Sequence, residues 1–438
     1  MTVESANISS RLKRVVVIAG VLLALPGVPL FFGYFCLALV LALEGDRDAL
    51  TVGLVTFTLL VVTLGAGGTA AWHGLRSLAG KESKLLQLPP IWALAGGFGL
   101  LVALGLFITP SFPAVSEAWG GLGALLFPPL LAAAAALPPL MAVSWFSAQN
   151  PAGLTWRRAL VALAGGATVG VLVAIVLEIL FPAIILALVF NLAGVVLARV
   201  ETLFEALAGA DIATAVTSRS FIYVLVQVAL IAPLAEELAK PLVTLPIIRH
   251  LSRRTAFLIG AMAGAGFAAL ENVIYAGFGF YFWAGILLVR ALGGAIHPLG
   301  AGLVALGWRD VLTGEANAWR NWFMRFGMAA GMHALWNGGS LLVITLAGAQ
   351  FFGELPPEID VLGLSAAGTT LALLVVLGLA ALWLGRAVGQ STPPSRPLQP
   401  DTAEAAYRLS DRAVAIWALA CLVTIVPAGI AGLQLLVR

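Results

Sequence analysis

The sequence predicts an all-α fold: a polytopic transmembrane helical bundle of about eleven spans, with one further helical segment lying in the interface. Three observations carry this expectation. Hydrophobic residues make up 61% of the 438-residue chain and charged residues only 10%, far from the balance of a soluble domain. Apolar runs of spanning length recur from end to end. Lysine and arginine gather in alternate loops, the bias that sets orientation in a membrane.

The apolar runs lie near 15–43, 50–72, 90–109, 119–146, 159–180, 221–248, 255–277, 283–307, 326–348, 361–385 and 413–436. The first follows Arg11, Lys13 and Arg14 and is too long for a signal-peptide core. A further run, 182–198, is ambiguous. If it does not cross, eighteen basic residues collect on one side and four on the other, with Lys240 and Arg290 inside the membrane. If it crosses, that bias collapses. The expectation is therefore a cytoplasmic N-terminus, with 182–219 on the outer side. There Val200, Leu203, Phe204 and Leu207 recur at helical spacing beside Glu201 and Glu205, as in an interfacial helix. It reads as a connector or as a lid over a polar site.

Five regions follow. Residues 1–158 form an N-terminal transmembrane scaffold module whose spans carry almost no internal charge. Residues 159–348 form the core and 349–386 add a span. Residues 387–411, rich in Pro, Ser and Thr, read as a flexible cytoplasmic linker, and 412–438 as a C-terminal span. The net charge of +3 leaves no nucleic-acid patch. Cys36 and Cys421 sit in apolar runs and read as small hydrophobes, not a disulfide framework. His73 and His250 read as ordinary interface histidines. Oligomeric state is not readable.

Four core segments carry groups that a bilayer excludes. Glu236, Glu237 and Lys240 lie in IAPLAEELAKPL, Glu271 and Asn272 in GFAALENVIYAG, Arg290 and His297 in the next run, and His333 and Asn337 in GMHALWNGG. Each charged group costs about 3 kcal/mol near a helix centre, so the groups must meet one another. At 1.5 Å per residue all four segments reach one layer near the midplane. Lys240 is i+4 from Glu236 and i+3 from Glu237 and can neutralise either. Gly260, Gly264, Gly293, Gly294, Gly300 and Ala301 let the helices approach. Pro233, Pro241 and Pro298 free the carbonyls of Ala229, Glu237 and Gly294, which suits a wet cavity.

Three glutamates against Lys240 and Arg290 leave one negative charge, so either one acid is protonated or a cation is bound. Adjacent acids in low dielectric split into an acid and a base. Glu271, His297 and His333 are candidate zinc ligands, with water in the fourth place. The alternative is a pair of histidines hydrogen-bonded to the glutamates with no ion, since no HExxH-type motif is present.

The order Glu-Glu-x-x-Lys, Phe267-x-x-x-Glu271-Asn272, Arg290 with His297 seven later, and His333-x-x-x-Asn337 resembles the PrsW family of intramembrane proteases. That family is related to the CAAX prenyl endopeptidase and bacteriocin-processing superfamily. The resemblance covers about 220–345. It implies a peptidase in which Glu236 and Glu237 activate the attacking water. His297 and His333 would bind that water, a metal or the oxyanion, and Asn337 would polarise the scissile carbonyl. It further implies a membrane-protein or lipid-anchored peptide substrate in a bacterial plasma membrane. The wider superfamily usually has His where this chain has Glu271, which leaves its mechanism untransferred. Two other classes stay open. Midplane acids and proline-broken helices also suit a proton- or cation-coupled transporter, though no inverted halves are found; and a non-catalytic membrane-protein binder is the third.

Overall fold

A computed structural model describes residues 10–44, 49–109, 113–147, 154–180, 224–278, 282–351 and 357–391. The expected interfacial segment 182–219 and the C-terminal span 413–436 lie outside them. The described residues form an all-α protein with no strand, only an isolated bridge between Leu85 and Thr155. The helices are α1 Ser10–Ala24, α2 Gly27–Glu44, α3 Ala49–Leu60, α4 Ala66–Leu78, α5 Ile91–Ile108, α6 Pro113–Ser147, α7 Trp156–Gly165 and α8 Val171–Ile175. They continue as α9 Ala232–Ala239, α10 Leu245–Ile248, α11 Arg253–Phe278, α12 Trp283–Leu292, α13 Ile296–Leu312, α14 Ala318–Phe351 and α15 Pro357–Ser391. α15 runs into the first residues of the expected linker.

Among the described residues, seven helices are long and apolar enough to cross a membrane, or eight if one bent pair is a single span. Two expected spans differ from continuous helices. The 221–248 run divides into a π-helical turn at Gln227–Ile231, α9, a 3-10 turn at Leu242–Thr244 and α10, because Pro233, Pro241 and Pro246 deny it regular donors. The 283–307 run is α12 and α13, bent by 43° at Gly293 and Gly294. Pro298 therefore sits in the first turn of α13, where its missing N–H costs little, and not inside a continuous span.

α11 is the axis of the fold. In its spanning window 83% of residues are buried, against 11% for Ser10–Cys36, so α11 is enclosed by protein whereas α1 and α2 are largely exposed. It packs on α13, α6 and α7. Its small residues make that contact possible. A Cβ on Gly264 would overlap the carbonyl of His297, and one on Gly166, in the π-helical turn after α7, would overlap the backbone of Ala263.

The ends carrying the basic loops are tied together. Lys84 accepts from Trp156 N–H at 3.0 Å, and Leu154 from Leu86 N–H at 2.8 Å. Asp310, fully buried, receives Arg253 at 2.5 Å and Arg325 at 2.6 Å, with Arg309 at 3.4 Å. Basic segments are thus joined in two groups, 84–86 with 154–156, and 253 with 309–325.

Because Gly166 meets backbone that cannot move aside, Gly166→Ala should destabilise the protein by about 1–3 kcal/mol. The readout is a lower thermal unfolding midpoint in detergent. Gly68→Ala, whose Cβ would meet nothing within 4 Å, should leave the midpoint unchanged.

Candidate metal and catalytic centre

Broken helices and close packing bring the polar motifs to one buried cluster. Lys240, fully buried, lies at its hub. Its Nζ donates to Glu237 Oε1 at 2.6 Å, stands 3.0 Å from Glu236 Oε2, and sits 4.6 Å from the centroid of the Phe267 ring. The ammonium is close to Glu236 Oε2 but out of hydrogen-bond alignment, so that oxygen stays without a hydrogen-bond partner.

Each histidine is held by one nitrogen and open at the other. His333 Nδ1 lies 3.0 Å from Glu237 Oε1, and His297 Nε2 lies 3.1 Å from Glu271 Oε2. His333 Nε2 and His297 Nδ1 are buried and unpartnered. Both face Glu236 Oε2, at 3.7 Å and 3.9 Å. The two rings meet edge to face with centroids 4.6 Å apart, and His297 stacks on Phe267. Glu237 lies against α13, where a Cβ on Gly300 would overlap its Oε2.

Glu271 faces outward from this trio as well as into it. It accepts from Arg290 Nη2 at 2.7 Å, while Arg290 Nε donates to Asn272 Oδ1. The Arg290 guanidinium also lies over the Tyr275 ring, 4.5 Å from its centroid.

The metal question can be tested on these atoms. Glu236 Oε2, His297 Nδ1 and His333 Nε2 lie within 4.8 Å of one another, and all three are buried without a hydrogen-bond partner. A tetrahedral ion with oxygen and nitrogen ligands at roughly 2.0–2.2 Å needs donors roughly 3.5 Å apart, close to the spacing found. The second nitrogen of each imidazole on a carboxylate is the support that metal-binding histidines usually have. The donor set fits a divalent ion. The expected carboxylate, Glu271, is not in this trio: Glu236 takes its place, because Arg290 and His297 Nε2 already engage Glu271.

The two asparagines each donate to a backbone carbonyl that a proline leaves without its helical donor. Pro139 has no N–H for the carbonyl of Ala135, and Asn272 Nδ2 donates to that carbonyl at 2.9 Å. In the π-helical turn Ala232 N–H reaches Gln227 O, so Pro233 leaves Val228 without a donor, one residue from the expected Ala229. Asn337 Nδ2 supplies it at 3.1 Å. Both amides are therefore spent, at least in part, on backbone.

Glu178 is a site neighbour that the sequence reading did not include. It lies in Val176–Leu180, and its carbonyl accepts from Gln227 Nε2, in the turn that precedes α9, at 3.1 Å. Its signal was a lone acid near the end of an apolar run, indistinguishable in sequence from a residue at a span boundary.

Residues 154–357 match the family described as PrsW family intramembrane metalloprotease. These residues are a PrsW family domain. The match covers just under half of the chain, from the residues that lead into α7 to the start of α15, and contains every residue of the cluster. The PrsW domain makes the protein a peptidase, and together with the spanning helices it makes it a multi-pass membrane protein. No curated protein and no solved structure matches the chain.

Asn272→Ala should cost about 1–3 kcal/mol by leaving a buried carbonyl unsatisfied. Pro139→Ala restores a backbone donor to Ala135, so Asn272→Ala should cost less in that background. A double-mutant cycle on thermal unfolding reads the coupling; strict additivity would refute the assigned role.

Proposed function

We propose that the cluster hydrolyses a peptide bond of a membrane-protein or lipid-anchored substrate, with water activated beside Glu236. The observation that carries this reading is the convergence of three unpartnered buried donor atoms, from Glu236, His297 and His333, on one point. Their surroundings suit the task. Glu237 and Glu271 fix the two imidazoles, so each presents a lone pair inward. Lys240 offsets one of the two charges of the paired acids, and Arg290 balances Glu271.

The water adds its oxygen to the substrate carbonyl carbon, the carbon–nitrogen bond breaks, and the proton passes from water through the Glu236 carboxylate to the leaving amine. Glu236, His297 and His333 are the residues that would hold a divalent ion, zinc by donor chemistry. When bound, such an ion would lower the pKa of water and polarise the carbonyl. Asn272 and Asn337 hold the surrounding backbone.

Glu236→Gln should lower cleavage of single-span proteins in proteoliposomes by about 10²–10⁴-fold. Glu237→Gln, which loosens His333, should lower it by about 10–100-fold. Both variants should remain folded by size-exclusion chromatography; full activity in both sinks the mechanism. Elemental analysis decides the ion. Stoichiometric metal lost in His297→Ala and His333→Ala supports it, with affinity falling in acid as protons compete for the imidazole nitrogens. A metal-free protein that still cleaves leaves the glutamate alone to activate water.

For placement we propose the plasma membrane of a bacterium, with the N-terminus and the basic end of the bundle in the cytoplasm. The support is the gathering of Lys13, Lys84, Arg157, Arg253 and Arg325 at contacts between helix ends. In intact cells Ser252→Cys should resist an impermeant thiol reagent. Labelling from outside would reverse the orientation.

A further inference from the structure

The polar cluster is closed on most sides and least closed on one. The side chains of Lys240, Glu237 and His333 have no exposed surface, and those of Glu236 and His297 are 7% and 4% exposed. Glu271 and Arg290 reach 11% and 12%. Tyr275, one turn beyond Glu271 on α11, is 39% exposed, and the Arg290 guanidinium lies over its ring. The flank between α11 and α12 is therefore where the cluster comes nearest the surface.

That flank carries donors that the fold does not use. Arg290 Nε is spent on Asn272 and Nη2 on Glu271. Nη1, with its two N–H groups, makes no hydrogen bond among the described residues and is not enclosed. The Tyr275 hydroxyl stands at the end of an exposed ring and makes none among them either. The charge of Arg290 is already countered by Glu271 at 2.7 Å. A second carboxylate on the guanidinium would leave an excess negative charge, whereas a neutral carbonyl would not. The unused donors suit a carbonyl.

A membrane-spanning substrate produces such carbonyls when it is opened for attack. A regular helix satisfies its own backbone. Unwinding it strands carbonyls in a medium without water, where they need partners from protein. We infer that Arg290 Nη1 and the Tyr275 hydroxyl bind the carbonyls of the unwound main chain of the substrate on the flank between α11 and α12. His297 fixes the distance from the reacting bond. Its Nε2 lies 3.4 Å from Arg290 Nη2, and its Nδ1 faces Glu236 on the far side of the ring. The donors therefore stand about two extended residues, at roughly 3.3 Å each, from the point where Glu236, His297 and His333 converge. They bind main chain beside the scissile bond and do not touch that bond. The substrate class that follows is a span whose helix is already weak near the cleavage point.

This inference rests on the proteolytic reading, and its test separates the two. Two quenched fluorescent single-span peptides are compared in proteoliposomes of the full-length protein: a leucine span broken by a central Pro-Gly pair, and an uninterrupted leucine span. Tyr275→Phe removes the hydroxyl and keeps the ring beneath Arg290. It should raise KM for the broken span by about 3–10-fold, the loss of one hydrogen bond, with kcat unchanged, as for an interaction made equally before and during reaction. Arg290→Lys, which keeps a cation beside Glu271 but lacks Nη1, should raise KM in the same direction. An unchanged KM in Tyr275→Phe overturns the inference.

A second arm reads binding without cleavage. In the Glu236→Gln background a photo-crosslinking side chain is placed at Ile286, one turn before Arg290 on α12. It should capture the broken span several-fold more than the uninterrupted one. The same group at Leu100, an exposed position of α5, should show no such preference. Equal capture of the broken span from both positions overturns the inference. Selective capture at Ile286 with neither peptide cleaved by the unmutated protein counts against the proteolytic reading and supports the binding flank.

Discussion

The arrangement depends on one buried ammonium. Lys240 touches Glu237 at 2.6 Å and stands 3.0 Å from Glu236, with none of its surface exposed. Removing one partner of such a pair costs about 3–5 kcal/mol, because the other is left charged in low dielectric. Losing the charge of any one member is therefore costly, and the geometry of the others follows. Glu237, held by Lys240, takes one nitrogen of His333; Glu236, close to the same ammonium but poorly aligned with it, keeps an oxygen facing both imidazoles. Two chemically identical side chains, adjacent in sequence, thus acquire different tasks from the direction in which one lysine approaches them.

Prolines create the second constraint. A proline in a membrane helix removes an N–H and strands a carbonyl where water is scarce. Two side-chain amides meet two such carbonyls: Asn272 answers Pro139 at Ala135, and Asn337 answers Pro233 at Val228. A third amide, Gln227, donates to the carbonyl of Glu178 in the π-helical turn Val176–Leu180 at 3.1 Å. Each amide fastens one helix to another at a point where the backbone is irregular. Irregular backbone is what lets α9 and α13 present Glu236 and His297 to each other, so the amides hold open the geometry that the prolines make.

Much of this was legible in the sequence. Charged and imidazole groups in apolar runs can persist only by meeting, which placed Glu236, Glu237, Lys240, Glu271, Arg290, His297 and His333 together without any coordinates. Small residues at Gly264 and Gly300 marked where helices touch. Register was not legible. A π-helical turn moved the carbonyl stranded by Pro233 from Ala229 to Val228, and the glycine pair at 293–294 bent a run that hydropathy reads as continuous. Both effects depend on local hydrogen bonding, to which a count of apolar residues is blind. The choice of Glu236 over Glu271 for the histidine trio depends on which acid Arg290 reaches, a contact between α11 and α12 that spacing along the chain does not encode.

That choice also gives a physical meaning to the glutamate at 271, where the resembled superfamily usually has His. A neutral imidazole there could not serve Arg290 as a charged acceptor, and Arg290 would be left a buried cation beside His297, only 3.4 Å from its Nε2. A carboxylate resolves both problems: one oxygen accepts from Arg290 at 2.7 Å and stands 3.1 Å from His297 Nε2. A proton on that nitrogen then donates to Glu271, which leaves Nδ1 with its lone pair toward Glu236. Glu271 and Arg290 therefore belong together as a unit that sets the tautomer of His297. The acid at 271 is better understood as fixing the direction of an inward-facing donor than as being one.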